Sequence, residues 1–170
     1  MKILFIIERL FAGGRQRRLV ELIKCLAVDP KYNISVVTMR REIHYKEIFD
    51  IPNVKIHFII RKFKKDPIPF FGFYNLCKKI KPDIIHTWSN MVTIYILPAI
   101  LLLKITLIDG EVTDAPEKVR RGLISSKITF PFADIILSNS KAGLLAYNAP
   151  LKKCKVIHNG FNFNRLNNLR

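Results

Sequence analysis

Residues able to do chemistry gather in five short segments, each placed directly after an apolar run that reads as a strand. They are Gly13-Gly14, His86-Thr87-Trp88-Ser89-Asn90, Asp109-Gly110-Glu111, Asn139-Ser140 and His158-Asn159-Gly160. Open parallel sheets bind ligands outside the carboxyl ends of their strands, so this convergence points to a ligand cleft along one edge. The glycine pair lets the backbone turn sharply and approach a ligand closely. The helix that follows would offer free N–H groups to phosphate or another anion. The same two glycines also suit a turn that meets no ligand. His86 is the catalytic candidate, or else a strand-end histidine bonded to a nearby carbonyl. Trp88, the one tryptophan, suits either stacking on a sugar face or capping the core. Asp109, Glu111 and Asp114 form an acidic cluster that a solvated loop explains equally well.

Several chemistries lack their residues. No Ser/His/Asp order and no paired-carboxylate spacing stands out. Cys25, Cys77 and Cys154 are odd in number and far apart, and the histidines are scattered, so neither a disulfide framework nor a metal site is expected. The thiols read as buried or semi-buried in a reducing compartment. The dinucleotide motif GxGxxG is missing, and the second strand leads into Met39-Arg40-Arg41 rather than an acid for a ribose. Those arginines could meet a 2′-phosphate, which keeps an NADP-type oxidoreductase domain as an alternative.

The elements that must position these residues follow from the apolar pattern. Strands are expected at Ile3–Ile7, Ile34–Thr38, Ile56–Ile60, Ile84–His86, Ile105–Ile108, Ile135–Ser138 and Lys155–His158. Most are continuously apolar, as in strands covered on both faces. A helix is expected over Arg15–Ala27, with Leu19, Ile23 and Leu26 on its apolar side. Asp29-Pro30 stops it, and Lys81-Pro82-Asp83 stops the next one. Alternation of strands and helices predicts a doubly wound α/β domain with about seven parallel strands. The apolar stretch Met91–Leu103 contains Pro98 and falls short of the roughly 20 residues a bilayer span needs, so it reads as a helix packed under the sheet. The opening MKILFIIERL is too short in its apolar part for a signal peptide and suits a buried first strand.

At 170 residues and 49% hydrophobic, the chain is expected to form one globular domain. Its net charge of +16 favours anionic partners: nucleic acid, acidic lipid or phosphorylated small molecules. A basic, non-catalytic nucleic-acid-binding module is a second alternative, resting on charge alone. The run Arg61–Lys65 (RKFKK) reads as solvated loop charge.

At four places the chain resembles family 4 glycosyltransferases of the two-domain GT-B type. FAGGRQRRLVELIKCLA resembles their glycine-glycine loop and first helix, and KPDIIHTWSN their proline-aspartate, strand and histidine motif. ADIILSNSKAGLLAY is similar to their alanine-aspartate, strand, serine and helix segment, and CKVIHNGFNFNRL to the turn before their interdomain linker. The resemblance implies a Rossmann-like, acceptor-side domain over residues 1–160, the start of a linker at 161–170, and a carboxy-terminal donor domain absent from this chain. It implies retaining transfer of a sugar from a nucleotide-sugar donor to a cell-envelope glycan or lipid-linked acceptor, with no bound cofactor, no metal and no nucleic-acid partner. This half alone would be inactive, or would pair with a separately encoded donor domain. A cytoplasmic chain, peripheral on an anionic inner membrane face, fits the charge.

The implied substrate-binding residues are Gly13 and Gly14 at the donor phosphates or acceptor; His86, Trp88 and Ser89 near the transferred sugar; and Asn139, Ser140, Asn159 and Gly160 at the cleft floor and hinge. Asp109 and Gly110 complete the set. Family members often carry a second histidine where this chain has Trp88, and histidine-glycine where it has Asp109-Gly110.

Overall fold

A computed structural model describes residues 1–112 and 121–160. Asp114 and the expected linker at 161–170 lie outside the described residues. The elements in order are β1 (Lys2–Ile7), α1 (Gly14–Ala27), β2 (Asn33–Thr38), β3 (Val54–Phe58), α2 (Ile68–Ile80), β4 (Ile84–Thr87), α3 (Asn90–Leu103), β5 (Thr106–Val112), α4 (Arg121–Thr129), β6 (Ile135–Ser138), α5 (Lys141–Ala146) and β7 (Cys154–Val156). Among the described residues the strands form one seven-stranded sheet, ordered β3-β2-β1-β4-β5-β6-β7. Every pairing is parallel. The order reverses between β1 and β4, which makes the loops after these two strands the place where a crevice opens.

The sheet is covered on both faces, which explains its continuously apolar strands. Ile3, Phe5 and Ile7 of β1 pack with Leu19, Val20 and Ile23 of α1. Leu4 and Ile6 face the other way, toward Phe73 and Cys77 of α2 and Val92, Ile96 and Ile100 of α3. Leu26, expected on the buried side of α1, is half-buried, and Val20 and Ala27 complete the stripe instead. Met91–Leu103 forms the expected covering helix, with the Pro98 ring exposed on its outer side. Among the described residues no helix is long and apolar enough to cross a membrane.

Three strands differ from expectation by two residues or more, among them β3, which spans Val54–Phe58 rather than Ile56–Ile60. β5 does not end at Ile108 but runs to Val112, its pairing with β6 interrupted by a register shift between Asp109 and Val112. Asp109 and Gly110 are therefore strand residues, not a loop. β7 begins at Cys154 and stops at Val156, leaving His158 in the segment beyond it. Among the cysteines, Cys25 is exposed rather than buried. Cys77 is buried, and burial pushes its thiol up to about 12, so it stays protonated and inert.

One buried acid organises the loop before α2. Asp66 accepts the Lys62 N–H at 2.9 Å and the Ile68 N–H at 3.0 Å through its two carboxylate oxygens. Its carbonyl accepts the Tyr95 hydroxyl of α3 at 2.9 Å. The side chain is fully buried. Asp66→Ala would strand two backbone donors and is expected to destabilise the domain by about 2 kcal/mol. Urea unfolding checks this, and a change near zero contradicts it.

Candidate functional site

The strand-end segments surround an open cavity of about 1110 Å³ between α1 and the carboxyl ends of β4–β7. Of the residues expected there, Gly14, His86, Trp88, Gly110, Asn139, Asn159 and Gly160 line it. Gly13, Ser89, Asp109 and Ser140 do not. Gly13 sits one residue behind the wall, where its N–H and carbonyl both bond the Tyr45 hydroxyl, at 3.2 and 3.1 Å. Ser89 precedes α3, and its hydroxyl is buried. Asp109 is fully buried, in register with Thr87 rather than with His86. Ser140 caps α5, its hydroxyl oxygen accepting the Gly143 N–H at 3.1 Å, so its role there is structural.

The glycine pair works differently from expectation. Gly13 is extended, with φ 175°, and no described glycine adopts the left-handed conformation, so the chain bends at residues 12–13 without one. What the loop gains is space: a side chain at Gly14 would meet nothing within 4 Å, leaving the start of α1 open to the cavity. The free N–H groups and positive dipole end of this 14-residue helix face that opening.

Two buried polar atoms at the wall, His86 Nε2 and Trp88 Nε1, have no hydrogen-bond partner among the described residues. His86 is only 7% exposed, and burial drives its imidazole down to about 4. It is therefore neutral at pH 7, a hydrogen-bonding group rather than a cation. The ring is held between Phe5 and Trp88, with centroids 5.4 and 5.1 Å away. Gly110 leaves it room: a Cβ there would lie 2.6 Å from His86 Nε2.

Sequence reading missed the cationic wall. Arg15 donates to the Trp88 carbonyl at 3.0 Å. Arg18 donates to the Gly14 carbonyl at 3.4 Å and to Asn159 Oδ1. Burial, then repulsion from Arg15, lowers the Arg18 pKa. Two guanidinium groups brought together in this way favour an anionic ligand. Arg15, Arg18, Leu22 and Cys25 recur every three or four residues, so the signal was a second face of α1 beside its buried one. Leu22, Leu137 and Ile157 give the cavity an apolar floor. Across the rim, His158 Nδ1 lies 3.1 Å from the Asn139 carbonyl. No group of three or more metal-ligating side chains occurs among the described residues.

The sequence profile described as Glycosyltransferase Family 4 matches residues 12–165. The chain belongs to that family. No curated protein sequence matches it significantly. Among solved structures it is similar to HepE of Anabaena in complex with UDP-glucose, at 17% identity and a TM-score of 0.76 over 96% of this chain and 45% of that one. It is also similar to the lipopolysaccharide outer core galactosyltransferase WaaB, with 18% identity and TM-score 0.75 over 95% and 46% of the two chains. Sucrose-phosphate synthase of Thermosynechococcus elongatus gives 14% identity and TM-score 0.76 over 96% and 49%. The chain thus spans less than half the length of each, matching one half of a GT-B fold.

Proposed function

We propose that this domain is the acceptor-binding half of a retaining glycosyltransferase, moving a sugar from a nucleotide-sugar onto a cell-envelope glycan or lipid-linked acceptor. The observation that carries this reading is the cavity wall itself. Two buried hydrogen-bonding groups, His86 Nε2 and Trp88 Nε1, stand without partners among the described residues, beside the paired Arg15 and Arg18. Hydroxyl groups of a sugar satisfy the first two, and a phosphate or other anion on the same ligand satisfies the arginines. HepE binds UDP-glucose and WaaB is a galactosyltransferase, which supports a UDP-sugar as donor. The donor half would follow a linker at 161–170 and close over the cavity, so this half alone lacks transfer activity. The reading requires no permanently bound cofactor or metal, and places the protein in the cytoplasm at the inner membrane face.

His86 acts here as a positioning group, because a neutral imidazole with so low a pKa is a poor proton donor at pH 7. Gly110 and the Phe5–Trp88 sandwich fix its ring. Arg40 and Arg41, the residues behind the NADP-type alternative, are exposed beyond β2 and do not line the cavity.

Trp88 provides its own assay, being the single indole of the chain. Titration with UDP-glucose and with phosphorylated glycans is expected to change its fluorescence saturably. Arg18→Ala is expected to weaken the anionic ligands by about tenfold or more, the worth of a charge-assisted hydrogen bond. A fluorescence response to NADPH or to oligonucleotides, with none to any sugar phosphate, would overturn the assignment.

A further inference from the structure

We propose that the surface formed by the turn before α2 and the outer side of that helix docks onto an anionic lipid bilayer. Between residues 55 and 81 the chain carries eight Lys and Arg against one acid, Asp66. That acid is fully buried and committed to backbone donors, so it neutralises nothing at the surface. Large apolar side chains stand out of the same segment. Phe63 is 58% exposed, Ile68 58% and Phe71 71%. Phe58, at the end of β3, is 42% exposed.

The arrangement is fixed rather than incidental. The Asp66 clamp folds residues 62–66 into a tight turn, with Lys65 at φ 71°, directly against the first turn of α2. Phe63 lies in that turn, and Ile68 and Phe71, three residues apart, share one face of the helix it leads into. Exposed Lys62, Lys64 and Lys65 flank these aromatics, and Lys78 and Lys79 continue the exposed face of α2. Apolar side chains framed by lysines match the boundary between acyl chains and anionic headgroups. Charge complementarity selects an acidic bilayer over a neutral apolar partner.

The geometry also relates the surface to the cavity. Residues 59–67 leave the carboxyl end of β3, and in a parallel sheet that is the same rim on which the cavity opens. Arg61 anchors this loop to the same rim, pairing with Glu8 just past β1 at 3.7 Å and contacting Met91 Sδ at the start of α3. A bilayer under Phe63 and Phe71 therefore lies beside the cavity mouth, where a membrane-held acceptor is within reach. This last step rests on the function proposed above; the docking surface does not.

The experiment is sedimentation of the chain with phosphatidylcholine vesicles, with and without phosphatidylglycerol. Binding is expected only to the acidic vesicles and is lost at about 1 M salt, where screening shortens the Debye length to about 3 Å. Replacing Lys62, Lys64 and Lys65 together by Ser is expected to lower partitioning by about a hundredfold, at about fivefold per side chain. Phe63→Ser with Phe71→Ser is expected to lower it by at least about tenfold through lost insertion. All five side chains are exposed, so thermal unfolding should be unchanged and reports that each variant is folded. Equal binding by both variants and the parent, equal binding to neutral vesicles, or self-association that Phe71→Ser abolishes would each overturn the proposal. Trp88 titration with soluble sugar phosphates, run without vesicles, keeps the two readings separable. Its failure removes the sugar assignment and leaves docking standing; loss of docking alone leaves the cavity assignment intact.

Discussion

Gly110→Ala is expected to destabilise the domain by about 3 kcal/mol, the upper end of what overpacking a buried site costs, and to abolish ligand binding at the cavity. The reason is steric. Gly110 lies inside β5 with ordinary backbone angles, so an alanine faces no conformational penalty there. Its Cβ, however, would stand 2.6 Å from His86 Nε2 and 3.1 Å from the Thr87 carbonyl oxygen. The Thr87 contact is with the backbone of the neighbouring strand, paired to β5 in fixed register. The His86 ring has little freedom to retreat, with Phe5 and Trp88 packed beside it. Either β4 and β5 separate or the imidazole is expelled from its place on the wall. A double-mutant cycle distinguishes strain from a general loss of packing. His86→Ala alone leaves a hole, yet in that background Gly110→Ala should cost about 2 kcal/mol less, a coupling expected of residues in direct contact. Urea unfolding of the four proteins measures it. Additive losses would mean that the contact with His86 carries none of the penalty.

The parallel sheet was legible because its cause is written in each strand. Ile3–Ile7 is apolar on five consecutive residues, which only a strand covered on both faces tolerates. The crevice was legible for the same reason, since a doubly wound sheet opens at its switch point whatever its ligand. Boundaries were less so. Asp109 and Gly110 have poor strand propensity, but β6 supplies a partner and the bulge before Val112 absorbs the irregularity. The end of β7 was hidden for the opposite reason. Ile157 and His158 look like strand residues, yet His158 turns to the Asn139 carbonyl after β7 has stopped.

The largest omission, Arg15 and Arg18, has a physical cause: an apolar stripe says which side of a helix is buried, not what its other sides meet. Here α1 borders the cavity, so the face beside its buried stripe contributes both cations and Leu22 to the site. The docking surface was similarly obscured. RKFKK is solvated, as its composition suggests, but composition does not show that Phe63 shares this exposure. It is the Asp66 clamp that holds the turn carrying Phe63 directly before the helix that carries Phe71.

The second large effect is a loss of stability in mild acid that His86 causes. Burial lowers its pKa from 6.5 to about 4. Above pH 6.5 the imidazole is neutral both folded and unfolded, and contributes no pH dependence. As pH falls below 6.5 the unfolded chain takes up a proton that the folded site refuses, so stability declines. The decline ends near pH 4, where the folded imidazole also titrates. Two and a half pKa units correspond to about 3 kcal/mol over that window. His57 is shifted in the same direction, by burial and then by Lys79 and Lys55, and adds to the slope. His86→Gln isolates the larger contribution, because glutamine keeps a polar group at the wall but does not titrate. Between pH 7 and pH 4 the parent should lose about 3 kcal/mol more than this variant in urea unfolding. Parallel curves for the two proteins would mean that His86 titrates at the same pH folded and unfolded, and the buried, neutral hydrogen-bonding role given to it in sugar recognition would fall.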